Sequence, residues 1–258
     1  MSKKNKTAAV ASINTAVDVA VTDHDIAVLK MLETSEANTA PAPVAVQSDA
    51  GQATDAPFAS LTDSYTDEVK LEMAQKIAKG FDDRSAYEKT KNPNNERIQK
   101  TLDKTRAKLA MPSAAAVLLA TQVHPDFINR SISEGSRYNV YAADKMADLV
   151  RGLRDGALTN KINIAIAKSL FAFKKAGEAF TGEMAKAAAC DKVKVTREQQ
   201  KLLTRHTIDP GTMSTQTSST MTALISMGIV QNKGTFRAPI YELINSPQTA
   251  RLEQVLSA

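Results

Sequence analysis

The chain has 258 residues, a formal net charge of +5, no tryptophan and one cysteine, Cys190. This length favours one compact domain with extensions or two small domains, and a single cysteine excludes an intramolecular disulfide and a metal site built from several cysteines. No apolar run approaches the roughly 20 residues that cross a bilayer, so we expect a cytoplasmic protein that does not enter the membrane.

Residues 1–62 are predicted to form a disordered tail. The segment is rich in Ala, Thr, Ser, Asp and Pro, as in "ANTAPAPVAVQSDAGQATDAPFAS". With so few large apolar side chains, burial cannot offset the entropy that is lost when the chain is ordered. The positive charge lies at the other end of the chain, where residues 161–258 carry 13 Lys and Arg against 7 Asp and Glu.

Residues 63–156 are predicted to form a helical domain. The segment "TDEVKLEMAQKIAKG" repeats apolar residues every four positions and predicts a helix that ends at Gly80. "NPNNERIQKTLDKTRAKLAM" predicts a second helix with a proline in its first turn. After Pro112, "SAAAVLLATQV" predicts a short, buried third helix.

Two more helices complete the predicted helical domain. "HPDFINRSISEG" predicts a short helix that begins at Pro125 and ends at Gly135. "SRYNVYAADKMADLVRGLRDG" predicts a longer helix with Ser136 as its N-cap and Gly156 as its stop. The residues of this helix that are expected to face inward are Val140, Met146, Leu149, Val150 and Leu153.

Residues 157–246 are predicted to form a second domain. "TNKINIAIAKSLFAFKKAG" predicts a helix that ends at Gly177, and Thr181 is placed to cap a short Ala-rich helix, "TGEMAKAAA". A third helix is predicted over residues 214–227. Its expected buried face, at spacings typical of an amphipathic helix, comprises Thr217, Met221, Leu224 and Ile225.

The opposite face of the helix over residues 214–227 is polar and uncharged. Ser and Thr are not strong helix formers, so helix propensity does not explain their use here. Gln, Ser and Thr side chains are able to hydrogen-bond base edges, and a Thr methyl group can contact the thymine methyl group. The polar residues are Thr215, Gln216, Ser218, Ser219 and Thr222.

A β-hairpin is predicted after this helix, which ends at Gly228. "IVQ" predicts one strand, "NKG" a tight turn with a positive φ at Gly234, and "RAPIYELI" the returning strand, with Pro239 typical of an edge. A two-stranded hairpin alone is marginally stable in water, so we expect it to pack on the helices through Ile240, Tyr241 and Leu243. The residues expected at the exposed tip are Asn232, Lys233, Thr235 and Arg237.

The segment "STQTSSTMTALISMGIVQNKG" resembles the recognition helix and wing of winged helix-turn-helix domains of the MarR-like and replication-initiator-like kinds. The resemblance implies a recognition helix in the major groove and a wing on the DNA backbone. Residues 161–176 then resemble the first helix and 181–189 the supporting helix. The residues that the resemblance places on DNA are Ser214, Thr215, Gln216, Ser218, Ser219 and Thr222 on the helix, and Asn232, Lys233, Thr235 and Arg237 on the wing.

One feature departs from that family. About 24 residues separate Ala189 from Ser214, where winged helices usually have only a few. Either this insertion adds a helix beside the DNA, where Lys201 and Arg205 would contact phosphate, or "TREQQKLLTRHT" is itself the supporting helix.

The sequence thus predicts an all-α protein with one small β-hairpin, which ends in a winged helix and a C-terminal tail at residues 247–258. We expect it to bind double-stranded DNA as a regulator, or as a replication or packaging accessory of a phage or mobile element in the host cytoplasm. The helical domain is expected to dimerise or to bind a partner. A preference for single strands ranks lower, because Phe236 and Tyr241 are the aromatic residues of the basic end.

The main alternative is a virion or scaffold component that does not recognise DNA directly. Catalysis has little support in the sequence, because His24, His124 and His206 are scattered and lack metal-ligand spacing. No phosphate-binding glycine-rich loop is present either. We therefore predict no enzymatic activity, no metal and no cofactor.

Overall fold

The computed structural model of the protein describes residues 57–133 and 136–257. These residues belong to one compact unit. The predicted disordered tail lies outside the described residues except at its end. There the structure has a helix, Phe58–Asp63, with Phe58 buried, so the tail prediction is wrong for these residues.

Helices dominate the described part of the chain, as predicted, and none of them is both long and apolar enough to span a membrane. A 3₁₀ turn, Phe127–Asn129, precedes β1. Residues 57–133 and 136–257 contain ten α-helices: α1 (Phe58–Asp63), α2 (Asp67–Lys91), α3 (Glu96–Leu109), α4 (Pro112–Ala120), α5 (Val140–Asp155), α6 (Lys161–Ala176), α7 (Gly182–Ala189), α8 (Arg197–Leu202), α9 (Pro210–Ser226) and α10 (Pro247–Ser257).

The strands are short and form two antiparallel sheets. They are β1 (Ser131–Ser133), β2 (Ser136–Arg137), β3 (Phe180–Thr181), β4 (Val230–Asn232) and β5 (Ile240–Leu243). β1 pairs with β2, and the other sheet has the order β3-β5-β4. Tyr241 of β5 lies opposite Phe180 on one side and Asn232 on the other.

The predicted hairpin is confirmed as part of a small sheet, but that sheet has three strands instead of two. The sequence did not reveal β3, because two residues are too few to show the alternation that identifies a strand. β5 is the central strand, so the prediction that Pro239 marks an edge strand is wrong. Pro239 lies just before β5, and its carbonyl oxygen accepts a hydrogen bond from the Gly182 N–H at 3.1 Å.

Helix α5 is the centre of the core. It packs against α3, α4, α9 and α10, and this explains why most of its residues are buried. The inward-facing residues predicted for this helix are all buried. The predicted boundary between two domains, at residues 156 and 157, falls between α5 and α6 inside the compact unit and stays a prediction.

Gly80 does not end a helix, contrary to the sequence prediction, and α2 continues to Lys91. A Cβ atom at Gly80 would lie 3.0 Å from Oδ1 of Asp126. The Asn129 side chain donates a hydrogen bond to the Gly80 carbonyl oxygen at 2.8 Å. The glycine therefore serves the close approach of the 3₁₀ turn to α2.

Two helix starts also differ from the prediction. Helix α3 begins at Glu96 with Asn95 as its N-cap, so the proline lies in the preceding turn. Helix α5 is capped by Asn139, whose side chain accepts from the Tyr141 N–H at 2.8 Å. Ser136, the predicted cap, lies in β2.

The predicted helix from Pro125 to Gly135 is a 3₁₀ turn followed by β1, and Gly135 lies outside the described residues. The chain folds back there, since the Tyr138 N–H donates to the Arg130 carbonyl oxygen at 3.2 Å. The Tyr138 and Phe127 rings then pack edge to face with their centroids 5.1 Å apart.

Where a C-terminal tail was predicted over residues 247–258, the structure has helix α10, Pro247–Ser257. Leu252 is completely buried, and the helix packs against α5 and α6. The Arg251 side chain donates to the carbonyl oxygen of Leu153 near the end of α5 at 3.0 Å. Residues 247–257 are therefore part of the fold.

Candidate nucleic-acid interface

Helix α9 begins four residues earlier than predicted, at Pro210. The cause is local, because the side chain of Asp209 accepts a hydrogen bond from the Gly211 N–H at 2.7 Å and caps the helix. Proline at the first helical position is compatible with this cap, since its missing N–H has no partner there in any helix. Ser214 and Thr215 therefore lie in the second turn of α9.

The exposed side of α9 carries most of the predicted polar residues. Ser214 and Ser218 are exposed, while Thr215, Gln216 and Thr222 are half-buried. Ile225 was assigned to the buried face, but it is 40% exposed and lies seven residues after Ser218 on the same side of the helix. The accessible row is therefore polar along most of α9 and apolar at its end.

Ser219 does not lie on the exposed side of α9, contrary to the prediction, because it is completely buried. Its hydroxyl oxygen accepts a hydrogen bond from the Asn139 side chain at 3.3 Å. The neighbouring Thr220 is also buried and donates to the side-chain oxygen of Asn163 at 3.0 Å. Some of the Ser and Thr residues of α9 thus attach the helix to α5 and α6, which leaves fewer of them for a ligand.

The connection between β4 and β5, residues 233–239, is an exposed loop that we call the wing loop. Asn232, Lys233, Thr235 and Arg237 are exposed, as predicted for the tip. Phe236 stands between them and is 74% exposed, more than any other large apolar side chain among the described residues. Ile240 is also exposed, so Tyr241 and Leu243 are the predicted anchors that are partly buried.

Hydrogen bonds to side chains hold the wing loop together. The side-chain oxygen of Asn232 accepts from the N–H groups of Gly234 and Ile240, at 3.0 and 3.1 Å. The hydroxyl of Thr235 accepts from the Ala238 N–H at 3.1 Å. Gly234 does not have the positive φ that a tight turn would need. Glycine is required there because a Cβ atom would lie 2.7 Å from the backbone nitrogen of Ile240 and 3.1 Å from the carbonyl carbon of Pro239.

The insertion between α7 and α9, residues 190–209, folds back onto α7. The N–H groups of His206 and Ile208 donate to the carbonyl oxygens of Ala188 and Ala189, at 2.9 and 3.0 Å. Helix α8 lies within it and has no buried residue. Lys201 is exposed and Arg205 is half-buried.

A buried hydrogen-bond network joins α5, α6 and α9. The carboxylate of Asp148 accepts from the backbone N–H groups of Thr159 and Asn160 and from the side chain of Asn163. Asn163 in turn accepts from Thr220 of α9. This network fixes the start of α6 against α5, and α9 against both.

A cleft of about 320 Å³ opens beside this network. We call it the α5–α9 cleft, because both helices line it together with the start of α6. Its lining residues are Tyr141, Asp144, Lys145, Asn160, Ile162, Ile208, Thr212 and Gln216. Gln216 is thus shared between the exposed row of α9 and this cleft.

Lys145 is the least expected residue of the α5–α9 cleft. It is only 5% exposed, and its ammonium group donates to the side-chain oxygen of Asn160 at 3.1 Å. Burial lowers the pKa of Lys145 to about 8, and the carboxylates of Asp144 and Asp148 act in the opposite direction. The sequence did not single out this lysine, because its neighbours in "AADKMAD" are typical of an ordinary helix surface.

The other chemistry-bearing side chains do not assemble into a site in the part of the chain that is described. No group of three or more His, Cys, Asp and Glu residues there could hold a metal ion. Cys190 is completely buried at the end of α7. His24 lies outside the described residues.

The chain matches no family model, no curated protein and no solved structure. Its function must therefore be inferred from its own geometry.

Proposed function

We propose that the protein binds double-stranded DNA through α9 and the wing loop, in the manner of a winged helix-turn-helix protein. The observation that carries the proposal is the pairing of β3 with β5. This pairing adds β3 to the sheet of β4 and β5. Apart from the short α8, residues 161–243 then follow the order helix, strand, helix, helix, strand, loop, strand. This order supports the proposal, because it provides a first helix, a supporting helix, a recognition helix and a loop between two strands that would act as the wing.

Helix α7 is the better candidate for the supporting helix of such a domain. It packs against both α6 and α9, whereas α8 is a single short helix without buried side chains. Under this assignment, residues 190–209 are an insertion on the surface. Lys201 and Arg205 within it are candidates for phosphate contacts.

The exposed side of α9 supports the proposal by its chemistry. Ser214, Thr215, Gln216, Ser218 and Thr222 offer hydrogen-bonding groups that suit base edges. Ser219 is not part of the proposed interface, because it is buried. The helix carries no Lys or Arg, so the positive charge that DNA binding needs must come from other elements.

Lys233 and Arg237 on the wing loop are the proposed source of that charge. Replacing both with alanine is expected to lower the affinity for a duplex of random sequence and to flatten its dependence on salt. Each phosphate contact contributes about 0.9 to the slope of log K against log salt concentration, so the slope should fall by about 2. Fluorescence anisotropy at salt concentrations from about 50 to about 200 mM measures this slope.

A matched control for charge is the double substitution Lys89→Ala/Lys91→Ala, at the exposed end of α2. It changes the net charge by the same amount and should leave the slope within about 0.5 of the wild type. Equal slopes for the wild type and the wing-loop variant would contradict the proposal. A large ordered assembly of the protein in sedimentation without nucleic acid would favour a scaffold instead.

Replacing Gly234 with alanine is expected to weaken DNA binding without unfolding the protein. A Cβ atom there would collide with the carbonyl oxygen of Ala238 and lie 2.7 Å from the backbone nitrogen of Ile240, so the wing loop must change shape. We expect a loss of affinity of about tenfold, equivalent to roughly 1.4 kcal/mol, measured by anisotropy. Circular dichroism should show an unchanged helix content, and an unaltered affinity would argue against contact between the wing loop and DNA.

A further inference from the structure

The α5–α9 cleft has the features of a site for a small anion. An ammonium group has three N–H donors. One N–H of Lys145 donates to Asn160, which leaves two without an acceptor among the described residues. Two further polar side chains line the same cleft, Thr212 and Gln216 of α9. Both lie in the first two turns of that helix.

The start of α6 makes the cleft more positive. The side-chain oxygen of Asn160 caps α6 by accepting from the N–H groups of Ile162 and Asn163, at 3.1 and 3.2 Å. The N-terminus of a helix carries a partial positive charge that favours anions and disfavours cations. Lys145 therefore places a buried cation next to this helix end, where the Asp148 carboxylate already accepts from the Asn160 N–H, and a bound anion would add to that compensation.

The two acidic groups near Lys145, Asp144 and Asp148, favour its charged form, but both also have other partners. Asp148 accepts hydrogen bonds from the start of α6 and forms an ion pair with Arg151 at 2.6 Å. Asp144 lies 3.7 Å from the ammonium groups of both Lys104 and Lys108 of α3.

The remaining walls of the cleft carry no charge. The lining residues from α6, α9 and the segment before α9 are Asn160, Ile162, Ile208, Thr212 and Gln216, and none of them is charged. Asp144 is the carboxylate among the lining residues, and the ammonium groups of Lys104 and Lys108, each 3.7 Å from it, offset its repulsion of an anion.

We propose that the α5–α9 cleft binds a small oxyanion, with Lys145 as its ion-pair partner and Thr212 and Gln216 as hydrogen-bond donors. A free oxyanion and a phosphate group of nucleic acid share this chemistry. The site does not depend on DNA binding, because the cleft is complete in the protein alone. Because α9 lines the cleft, a bound anion would contact the same helix that we propose to contact DNA.

Sulfate is a suitable probe, since it stays a dianion over the whole neutral and alkaline range. Calorimetric titration of the full-length protein, with chloride used to match ionic strength, is expected to show saturable binding. The dissociation constant should rise about tenfold or more in Lys145→Met, because a charge-assisted hydrogen bond is lost. It should rise less in Gln216→Ala, which removes one neutral donor.

Lys161→Met is the matched control. Lys161 lies at the same helix start and is exposed, but it does not line the cleft. Its sulfate affinity should stay within about twofold of the wild type, since exposed charges contribute little at moderate salt. Sulfate binding that does not saturate, or that weakens equally in both lysine variants, overturns the site.

Two further measurements test the site: the pH dependence of sulfate affinity and competition between sulfate and a DNA duplex. Sulfate affinity should fall as the pH rises above 8, because Lys145 then loses its charge. Competition between sulfate and a duplex would identify a backbone phosphate as the occupant, whereas simultaneous binding would identify a free anion. Both results support the site, and the sulfate titration stands even if no duplex binds.

Discussion

Replacing Asp148 with alanine is expected to lower the free energy of unfolding by about 3–5 kcal/mol, because it leaves several buried donors without an acceptor. The Asp148 carboxylate accepts from the N–H and the hydroxyl of Thr159 at 3.0 and 2.9 Å. It also accepts from the Asn160 N–H and the Asn163 side chain, both at 3.1 Å, and pairs with Arg151.

The loss should extend beyond α5. Asn163 links the same carboxylate to Thr220 of α9, so its side chain would lose one of the partners that hold it in place. Urea denaturation followed by circular dichroism measures the change, and Asp148→Asn should lie between the wild type and the alanine variant, because it keeps one acceptor oxygen.

Asp155→Ala provides the control for the Asp148 prediction. Asp155 forms a partly exposed ion pair with Arg154 at the end of the same helix. Exposed pairs of this kind are worth about 0–1 kcal/mol. If both variants lost the same small amount, the network would not hold α5, α6 and α9 together.

Replacing Lys145 with methionine is expected to raise the free energy of unfolding at pH 7 by about 1–2 kcal/mol. Burial lowers the pKa of Lys145 from its ordinary 10.5 to about 8, so the folded state pays to keep the charge. Methionine retains much of the side-chain volume and removes the charge. The loss of the hydrogen bond to Asn160 offsets part of the gain.

The effect of Lys145→Met should depend on pH in a definite direction. Between pH 8 and 10.5 the unfolded wild type binds more protons than the folded wild type, so the stability of the wild type rises with pH. The variant lacks this titration, and its advantage should shrink over the same window. Denaturation at pH 7 and pH 9.5, roughly the two sides of the folded pKa, tests this. A constant difference, or a less stable variant at pH 7, would contradict it.

Local patterns predicted much of the helical fold. The spacing of the apolar residues predicted the buried faces of α5 and α6. The end of α6 was predicted from Gly177, which has a left-handed conformation there. Gly80 misled the prediction because its role depends on Asp126 and Asn129, more than 40 residues later in the chain. Such contacts leave no local trace.

The candidate site was predictable to a smaller extent. The exposed wing loop and most of the polar row of α9 followed from the sequence. The burial of Ser219 and Thr220 did not, because Ser and Thr suit a surface as well as a hydrogen-bonded interior. The α5–α9 cleft also escaped prediction, since it brings together α5, α6 and α9 and is visible only in three dimensions.

The central position of β5 bears on the order in which the chain folds. Phe180 of β3 pairs with Tyr241, about 60 residues later, and the closure of so long a loop is entropically costly. During synthesis, α6 and α7 leave the ribosome well before the strand that completes their sheet. The strand that closes the wing loop is thus the last of the three to be made, so the sheet assembles only when the proposed DNA-binding surface is complete.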